Sequence, residues 1–234
     1  MAKTPETPHW PSPDWYQGQA FFKKHPLPPS WVFFGSSRIR PDAAVGTEEA
    51  RLFRDSLVFC RHLARKAASL PPPRQPAFIT GGGPGLMEAA NRAARETGLR
   101  SVGFSIVIRD EQALNPQIDP DHGLTFRSFA ARKHWLLHRA SLIVVLPGGI
   151  GTLDELFEGL TLCKTGKLPL APKVLAYPGN FWRSLVNWET IVDLNFTAAE
   201  DLEGLVFADT PEAANPTLEA VLEKNRAESD SARA

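Results

Sequence analysis

Two glycine-rich runs are the places where this chain is best equipped to hold an anion. They read Thr80-Gly81-Gly82-Gly83-Pro84-Gly85-Leu86-Met87-Glu88 and Pro147-Gly148-Gly149-Ile150-Gly151-Thr152-Leu153-Asp154-Glu155. Each run follows an apolar segment and leads into a helical pattern, where backbone N–H groups and the helix dipole can hold phosphate. A turn required only for packing also explains the first run. The spacing matches neither GxGxxG nor the P-loop, which disfavours dinucleotides and nucleoside triphosphates.

Charged side chains beside these runs could act on a bound anion. Arg132, followed by Lys133, falls on an apolar stripe of the predicted helix 128–140, so its guanidinium needs an anionic partner, either in a structural ion pair or in a ligand. Thr152 and Glu155 have the spacing of a helix capping box, and both a capping role and a ligand role are open to them. A carboxylate there competes with phosphate for the helix dipole, so we expect Glu155 to face a sugar.

Weaker candidates lie at other positions near the same predicted edge. Gly35 and Ser36 follow an apolar run, where an ordinary strand-to-loop turn explains them equally well. Glu111 is a loop acid that could equally be simply solvated. Thr161 lies two turns beyond Asp154 on the same predicted helix. Its side chain either faces the cleft or packs against the rest of the protein.

Short apolar runs alternate with amphipathic segments along most of the chain, as buried strands alternate with crossover helices in parallel sheets. The apolar runs are 31–34, 77–79, 102–106, 142–146, 173–177 and 205–207, and the amphipathic segments are 47–68, 85–97, 128–140, 152–164, 181–192 and 211–228. This order predicts a Rossmann-like, doubly wound α/β fold. Its single domain would hold a mainly parallel sheet of about six or seven strands, with ligands at the carboxyl ends of the strands.

Three regions are predicted along the chain. Residues 1–30 form a proline-rich arm, whose aromatic side chains we expect to pack on the body or on a partner subunit. Residues 31–210 form the Rossmann-like domain. Residues 211–234 form a C-terminal helix and an acidic tail.

Composition excludes several classes of protein. The 26 basic and 26 acidic residues give a formal charge of zero, which argues against nucleic acid or a membrane as a partner held by overall charge. The N-terminus has no apolar core typical of a signal sequence, and no segment is long and apolar enough to span a membrane, so a cytoplasmic protein is expected. Cys60 and Cys163 are expected to be core thiols. His134 and His138 have no third ligand at suitable spacing, so no metal site is predicted.

The runs GGGPGLMEAANRAA and PGGIGTLDELFE, with Arg132 and Lys133 between them, resemble the LOG (Lonely guy) family. These are cytokinin riboside 5′-monophosphate phosphoribohydrolases, often labelled lysine decarboxylase-like. The resemblance covers about residues 31–195. Within the family, the chain is similar to the longer bacterial branch. It implies hydrolysis of the N-glycosidic bond of an adenosine 5′-monophosphate to free base and ribose 5-phosphate, without metal or organic cofactor, by a homo-oligomer.

The resemblance also implies roles for individual residues. Arg132 and Glu155 are the implied catalytic pair, and Glu155 would stabilise the oxocarbenium-like state and orient water. The full set of predicted substrate-binding residues is Gly35, Ser36, Gly81, Gly82, Gly83, Met87, Glu111, Lys133, Gly148, Gly149, Gly151, Thr152, Asp154 and Thr161. Two alternatives stay open: a broader purine or pyrimidine nucleoside 5′-monophosphate nucleosidase, and a nucleotide-binding module without turnover. Lysine decarboxylation is disfavoured, because no lysine lies in a recognisable setting for a Schiff base.

Overall fold

A sheet of seven parallel strands forms the centre of the part of the chain that the structure describes. The computed structural model describes residues 13–108 and 113–231. Its strands are β1 (Ser30–Phe34), β2 (Phe78–Thr80), β3 (Ser101–Ile106), β4 (Gly123–Phe126), β5 (Ala140–Val145), β6 (Lys173–Ala176) and β7 (Leu205–Phe207). They lie in the order β4-β3-β2-β1-β5-β6-β7, and each neighbouring pair is parallel.

Helices cover both faces of this sheet. They are α1 (Pro13–Lys24), α2 (Glu48–Ala68), α3 (Leu86–Glu96), α4 (Phe129–Leu137), α5 (Ile150–Lys164), α6 (Gly179–Leu185), α7 (Trp188–Asp193) and α8 (Asn215–Ser231). Helices α2, α3 and α8 contribute to the apolar core on one face. Helices α1, α4, α5, α6 and α7 contribute to the core on the other. The protein is therefore a single doubly wound α/β domain, as predicted.

Strand β1 shows why both faces are covered. Its five residues are all buried, and successive side chains of a strand point to opposite faces. Trp31 and Phe33 pack in the core beside α2 and α3, whereas Val32 and Phe34 pack in the core beside α4 and α5. A strand buried on both sides is mostly apolar, as β1 is from Trp31 to Phe34, which is why its pattern was recognisable in the sequence.

The chain changes direction across the sheet between β1 and β5. Strands β2, β3 and β4 extend the sheet to one side of β1, and β5, β6 and β7 extend it to the other. Phe34 and Val145 are register partners at the carboxyl ends of β1 and β5. Beyond them, the Ser36 N–H donates to the carbonyl of Pro147 at 2.9 Å. This is the switch point where doubly wound folds bind ligands.

Two elements differ from the sequence-based expectation. Strand β4 was not predicted, because only Phe126 of its four residues is buried and its pattern is correspondingly weak. The predicted helix 181–192 is wrong as a single helix: it divides at Val186 and Asn187 into α6 and α7. Asn187 caps the second helix, since its side-chain oxygen accepts from the Thr190 N–H at 3.0 Å.

The predicted arm is partly helical. Prolines break helices, but residues 14–24 of α1 contain none. Pro13 occupies the first turn, where the N–H that it lacks would have no partner within the helix. The prediction that its aromatic residues pack on the body is confirmed for Trp15 and Phe22, which contact Trp135. Trp10 lies outside the described residues.

The two cysteines lie in or beside the core. Cys60 is fully buried and Cys163 is partly buried, and neither forms a disulfide. Burial raises the pKa of the Cys163 thiol to about 11. Across residues 13–108 and 113–231, no helix combines the length and apolar character required to cross a membrane.

Candidate functional site

A cavity of about 550 Å³ lies at the switch point between β1 and β5. Segments from four parts of the chain line it: the loop after β1, the start of α3, α4 and the start of α5. The lining residues are Gly35, Ser36, Ser37, Arg38, Met87, Phe129, Arg132, Lys133, Gly149, Ile150, Gly151, Thr152, Asp154 and Glu155. Ten of the predicted site residues are therefore brought together with four that were not predicted.

The second glycine loop, residues 148–151, opens onto this cavity. Gly149 and Gly151 are exposed, and Gly149 is the N-cap of α5. At this end of the helix, the Leu153 N–H donates to the Gly149 carbonyl at 2.9 Å. The N–H groups before it have no partner within the helix and lie at the positive end of its dipole. This end of α5 is suited to an anion.

The capping-box interpretation of Thr152 and Glu155 is wrong. Helix α5 begins at Ile150, so Thr152 lies inside its first turn and is not the N-cap. The Thr152 side chain instead packs so closely on Gly148 that any Cβ there would collide with it. Glu155 is left to make a different contact.

That contact is an ion pair with Arg132. Nη1 of Arg132 donates to Oε1 of Glu155 at 3.2 Å, and the two side chains are only 9% and 14% exposed. Nε of Arg132 donates to the carbonyl of Phe104 on β3 at 2.6 Å. The guanidinium is therefore held by a strand on one side and presents itself to the Glu155 carboxylate on the other.

Burial makes Glu155 an unusual acid. Desolvation raises the pKa of its carboxyl to about 7, although the Arg132 guanidinium opposes this rise. A carboxyl with such a pKa exists in both protonation states near neutral pH, which is the property that an acid–base group in catalysis requires.

Lys133 lies at the rim and is bound differently from its neighbour. Its Nζ is 2.6 Å from Oε2 of Glu158 and 3.1 Å from Oδ2 of Asp154. Burial alone would lower the pKa of Lys133, but these two ion pairs outweigh it and raise the pKa. The ammonium group is thus kept charged at the cavity wall.

The first glycine loop, residues 81–85, does not line the cavity. The Leu86 N–H at the start of α3 already donates to the Ser36 carbonyl at 2.9 Å. The carbonyl of Gly83 accepts from Nδ2 of the buried Asn115, also at 2.9 Å. The expectation that two glycine loops face each other around one anion is therefore wrong, because the chain after β1 covers the start of α3.

Gly81 supports the site from beneath. A Cβ at this position would collide with Nη2 of Arg132 and lie 2.9 Å from Sδ of Met87. Met87 itself lines the cavity. The absence of a side chain at Gly81 thus leaves the room that the Arg132 guanidinium occupies.

The remaining predicted site residues are Gly148, Thr161 and Glu111, and neither Gly148 nor Thr161 is among the lining residues. Gly148 lies beside the lining residues without being one of them. Thr161 is exposed on α5, where its hydroxyl donates to the Phe157 carbonyl at 2.7 Å, and it does not reach the cavity. Glu111 lies outside the described residues.

Four lining residues were not among the predicted site residues. Ser37 and Arg38 directly continue the Gly35-Ser36 turn, and that adjacency was the available signal. Phe129 and Ile150 are 55% and 87% exposed, and they place apolar surface at the mouth of the cavity. Glu155, by contrast, was predicted for its role, and its side chain is only 14% exposed.

The sequence predicts no metal site, because His134 and His138 have no third ligand at suitable spacing. Their rings lie 5.6 Å apart and belong to an aromatic cluster with Trp15, Phe22 and Trp135. Among the residues that the structure describes, no group of three or more His, Cys, Asp or Glu side chains is placed to hold a metal ion.

Comparisons with known proteins place the chain among relatives of similar sequence. Residues 87–218 match the model of a family described as possible lysine decarboxylase. A cytokinin riboside 5′-monophosphate phosphoribohydrolase of Mycobacterium tuberculosis is 31% identical over 132 residues, which are 55% of this chain and 68% of the relative.

Solved structures share the fold at lower identity. The molybdenum cofactor carrier protein of Chlamydomonas reinhardtii superposes with a TM-score of 0.53 at 18% identity, over 84% of this chain and 99% of that one. The molybdenum cofactor binding protein of Rippkaea orientalis gives 0.52 at 16% identity, over 83% and 98%. At these identities the likeness concerns the fold alone.

Proposed function

The chain belongs to the LOG family, and from this membership we propose that it is a nucleoside 5′-monophosphate phosphoribohydrolase. Its substrates in this proposal are adenosine 5′-monophosphates, including N6-modified ones, and its products are the free base and ribose 5-phosphate. The observation that carries the proposal is the buried Arg132–Glu155 pair, which shares one cavity with the exposed N-terminus of α5.

The 5′-phosphate is assigned to the second glycine loop. Backbone N–H groups of α5 and the positive end of its dipole favour a dianion there. Arg38 lines the same cavity and adds a guanidinium suited to phosphate oxygens. A nucleoside without phosphate would lose all of these contacts, so we expect the enzyme to discriminate strongly against it.

The ribose is assigned to the region of Glu155, further along α5. Cleavage of the ribosyl C–N bond develops positive charge on the sugar, and an ionised Glu155 stabilises that charge. The same carboxylate orients a water molecule and accepts its proton as the oxygen bonds to C1′. The bonding pair of the C–N bond leaves with the base, and the proton that Glu155 took from water is returned to that base, which leaves Glu155 ionised again.

Arg132 acts on Glu155 in this scheme and is itself held in place before substrate binds. Its guanidinium keeps a fraction of Glu155 ionised, because it opposes the effect of burial on the pKa of that carboxyl. Its bond to the Phe104 carbonyl holds it in one orientation, so the pair is organised before substrate arrives.

The description possible lysine decarboxylase raises the question of pyridoxal phosphate. That cofactor would need a lysine able to form a Schiff base. Lys133 lines the cavity, but its ammonium is paired with Asp154 and Glu158 and its pKa is raised, which disfavours the neutral amine that attacks an aldehyde. The lining residues therefore do not fit this cofactor.

The test is release of free base from AMP and isopentenyl-AMP at neutral pH with EDTA present, followed by chromatography. We expect adenine and isopentenyladenine together with ribose 5-phosphate, and no release from adenosine. Comparable rates with pyrimidine monophosphates would replace the proposed substrate class with a broader nucleosidase. Saturable binding without base release from any nucleoside monophosphate would reduce the protein to a binding module.

A further inference from the structure

Helix α1 lies directly against α4, the helix that carries Arg132. Gly18 is buried in this contact, and a Cβ at Gly18 would collide with the indole ring of Trp135. The rings of Phe22 and Trp135 stack with their centroids 5.5 Å apart. The two helices are therefore fitted closely enough that a shift of one must move the other.

A buried carboxylate on α1 binds the start of α4. Oδ2 of Asp14 accepts from the Arg127 N–H at 2.7 Å and from the Ser128 N–H at 2.6 Å, and Asp14 is 7% exposed. Ser128 is the N-cap of α4, and its hydroxyl accepts from the Ala131 N–H at 3.3 Å. A negative charge at the N-terminus of a helix is stabilised by the dipole, so Asp14 and Ser128 together cap α4.

A single backbone hydrogen bond connects this cap to Arg132 of the proposed active site. The Ser128 carbonyl accepts from the Arg132 N–H at 3.0 Å, so the backbone of Arg132 is set by the residue that Asp14 binds. The guanidinium lies within reach of Glu155 only while α4 keeps its position along the sheet.

Helix α1 also supports the second attachment of Arg132. Phe21 and Phe22 pack edge-on against Phe104, with centroids 5.2 Å and 6.0 Å away. The carbonyl of Phe104 is the group that accepts from Nε of Arg132. One helix thus braces both the backbone of Arg132, through Ser128, and the strand position that holds its side chain.

We propose that α1 is a positioning element for the active site, and that Asp14 is the positioning residue through which it sets Arg132 against Glu155. The proposal rests on the proposed function for its effect on turnover. It also predicts a change at Glu155 that does not require turnover, because a displaced guanidinium no longer opposes the burial of that carboxyl.

Asp14→Asn is the sharpest test, since it removes the charge and keeps the shape. We expect kcat to fall about tenfold to a hundredfold, as small misplacements of catalytic groups do, with KM for AMP changed by less than about threefold. In the carboxyl region of the carbon-13 NMR spectrum, we expect the pKa of Glu155 to rise above its value in the unaltered protein. The acid limb of kcat/KM should move to higher pH with it.

Asp209→Asn is the matched control. Oδ1 of Asp209 accepts from the Asn180 N–H at 2.6 Å at the start of α6, and its Oδ2 accepts from Nη1 of Arg183 at 3.0 Å. This variant therefore removes a carboxylate charge from another helix start, away from the switch-point cavity. It should change stability without changing the pKa of Glu155 or the pH profile. A second variant, Gly18→Ala, pushes α1 away from Trp135 without altering Asp14 and keeps the test available if Asp14→Asn does not fold.

The outcomes separate the two proposals. An unaltered protein that releases no base contradicts the proposed function, yet a raised Glu155 pKa in Asp14→Asn would still support the positioning role. Unchanged Glu155 pKa and unchanged kcat in both folded α1 variants would overturn that role. A loss of kcat equal to that in Asp209→Asn would overturn it as well, because it would reflect stability alone.

Discussion

The two glycine loops have similar composition and the same place between a buried strand and a helix, but they meet different surroundings. Around the first loop, the Ser36 carbonyl accepts the N–H at the start of α3, and Asn115 binds the Gly83 carbonyl. Around the second loop, Gly149 and Gly151 are exposed at the wall of the cavity. The first loop is a packed junction and the second is an open one.

The difference shows what a glycine run can and cannot indicate. Glycine permits a tight turn, a positive φ or the close approach of another group, and these uses look alike in sequence. In the first loop, Gly85 has φ +74° and lies against the backbone of Ser36, whereas a Cβ at Gly149 or Gly151 would meet nothing within 4 Å. Space around the glycine, and not the glycine itself, distinguishes packing from binding.

The largest effect should come from the acid that follows the second loop. Glu155→Gln removes the group that accepts the proton of water, so we expect kcat to fall about 10³-fold in single-turnover assays. Affinity for ribose 5-phosphate, measured by calorimetry, should change little, because the phosphate is assigned to the N-terminus of α5.

Glu88→Gln on α3 is the matched control, since Glu88 follows the first loop and does not line the cavity. It should leave kcat nearly unchanged. Equal losses of kcat in Glu155→Gln and Glu88→Gln would remove the distinction between the two loops.

The pH dependence of the unaltered enzyme tests the same carboxyl group. We expect kcat/KM to fall about tenfold per pH unit below pH 7, because the pKa of Glu155 is about 7 and its ionised form is required.

A smaller effect, on stability, should come from the first loop. Gly85→Ala places a Cβ 2.5 Å from the Ser36 carbonyl oxygen in a residue at φ +74°. We expect the free energy of unfolding in urea to fall by about 3 kcal/mol, from a left-handed backbone and a contact that cannot relax.

Gly98→Ala isolates the backbone contribution to this loss. Gly98 has φ +76°, but a Cβ there would meet nothing within 4 Å. Its cost should be only about 1 kcal/mol, the part due to φ alone. Equal losses at Gly85 and Gly98 would show that the chain after β1 does not close the first loop.

The smallest effect should come from the second loop itself. Gly151→Ala lies in the first turn of α5 with open space around it, so stability should stay level or rise by less than about 1 kcal/mol. The added methyl group occupies the cavity wall, and we expect affinity for ribose 5-phosphate to weaken about threefold to tenfold by calorimetry.

Gly159→Ala tests the opposite side of the same helix. A Cβ at Gly159 would lie 3.2 Å from Cδ1 of Ile143 in the core. This variant should alter stability and leave affinity unchanged. Weakened affinity in Gly159→Ala together with unchanged affinity in Gly151→Ala would contradict the assignment of the second loop to phosphate.

Much of the fold could be predicted because its strands are buried on both faces. All five residues of β1 and all six of β5 are buried, whereas only Phe126 of β4 is buried, and β4 was not predicted. Helix α1 was hidden by the prolines around it. Its own signals, Asp14 in the first turn and lysines in the last, are those of an ordinary helix.

The site was predictable to the extent that its chemistry lies in single side chains. Arg132 and Glu155 were each singled out by residue type and spacing, and the family resemblance implied that they act as a pair. They do form an ion pair with little exposure. The Phe104 carbonyl that holds Arg132 is 28 residues away, and the Asp14 carboxylate that caps α4 is 113 residues from Arg127. A backbone carbonyl has no residue type to recognise, and no local pattern announces a partner at such separation.

The sequence by itself determined the alternation of strands and helices, the two glycine junctions, and an arginine that needed a buried anion, because each of these follows from local periodicity and residue chemistry. Only the tertiary structure decided which junction stays open. That choice depends on where the chain after β1 lies, and the Ser36 carbonyl closes one helix N-terminus while the other is left facing the cavity. Contacts between distant segments are set by packing of the whole domain, and local pattern does not contain them.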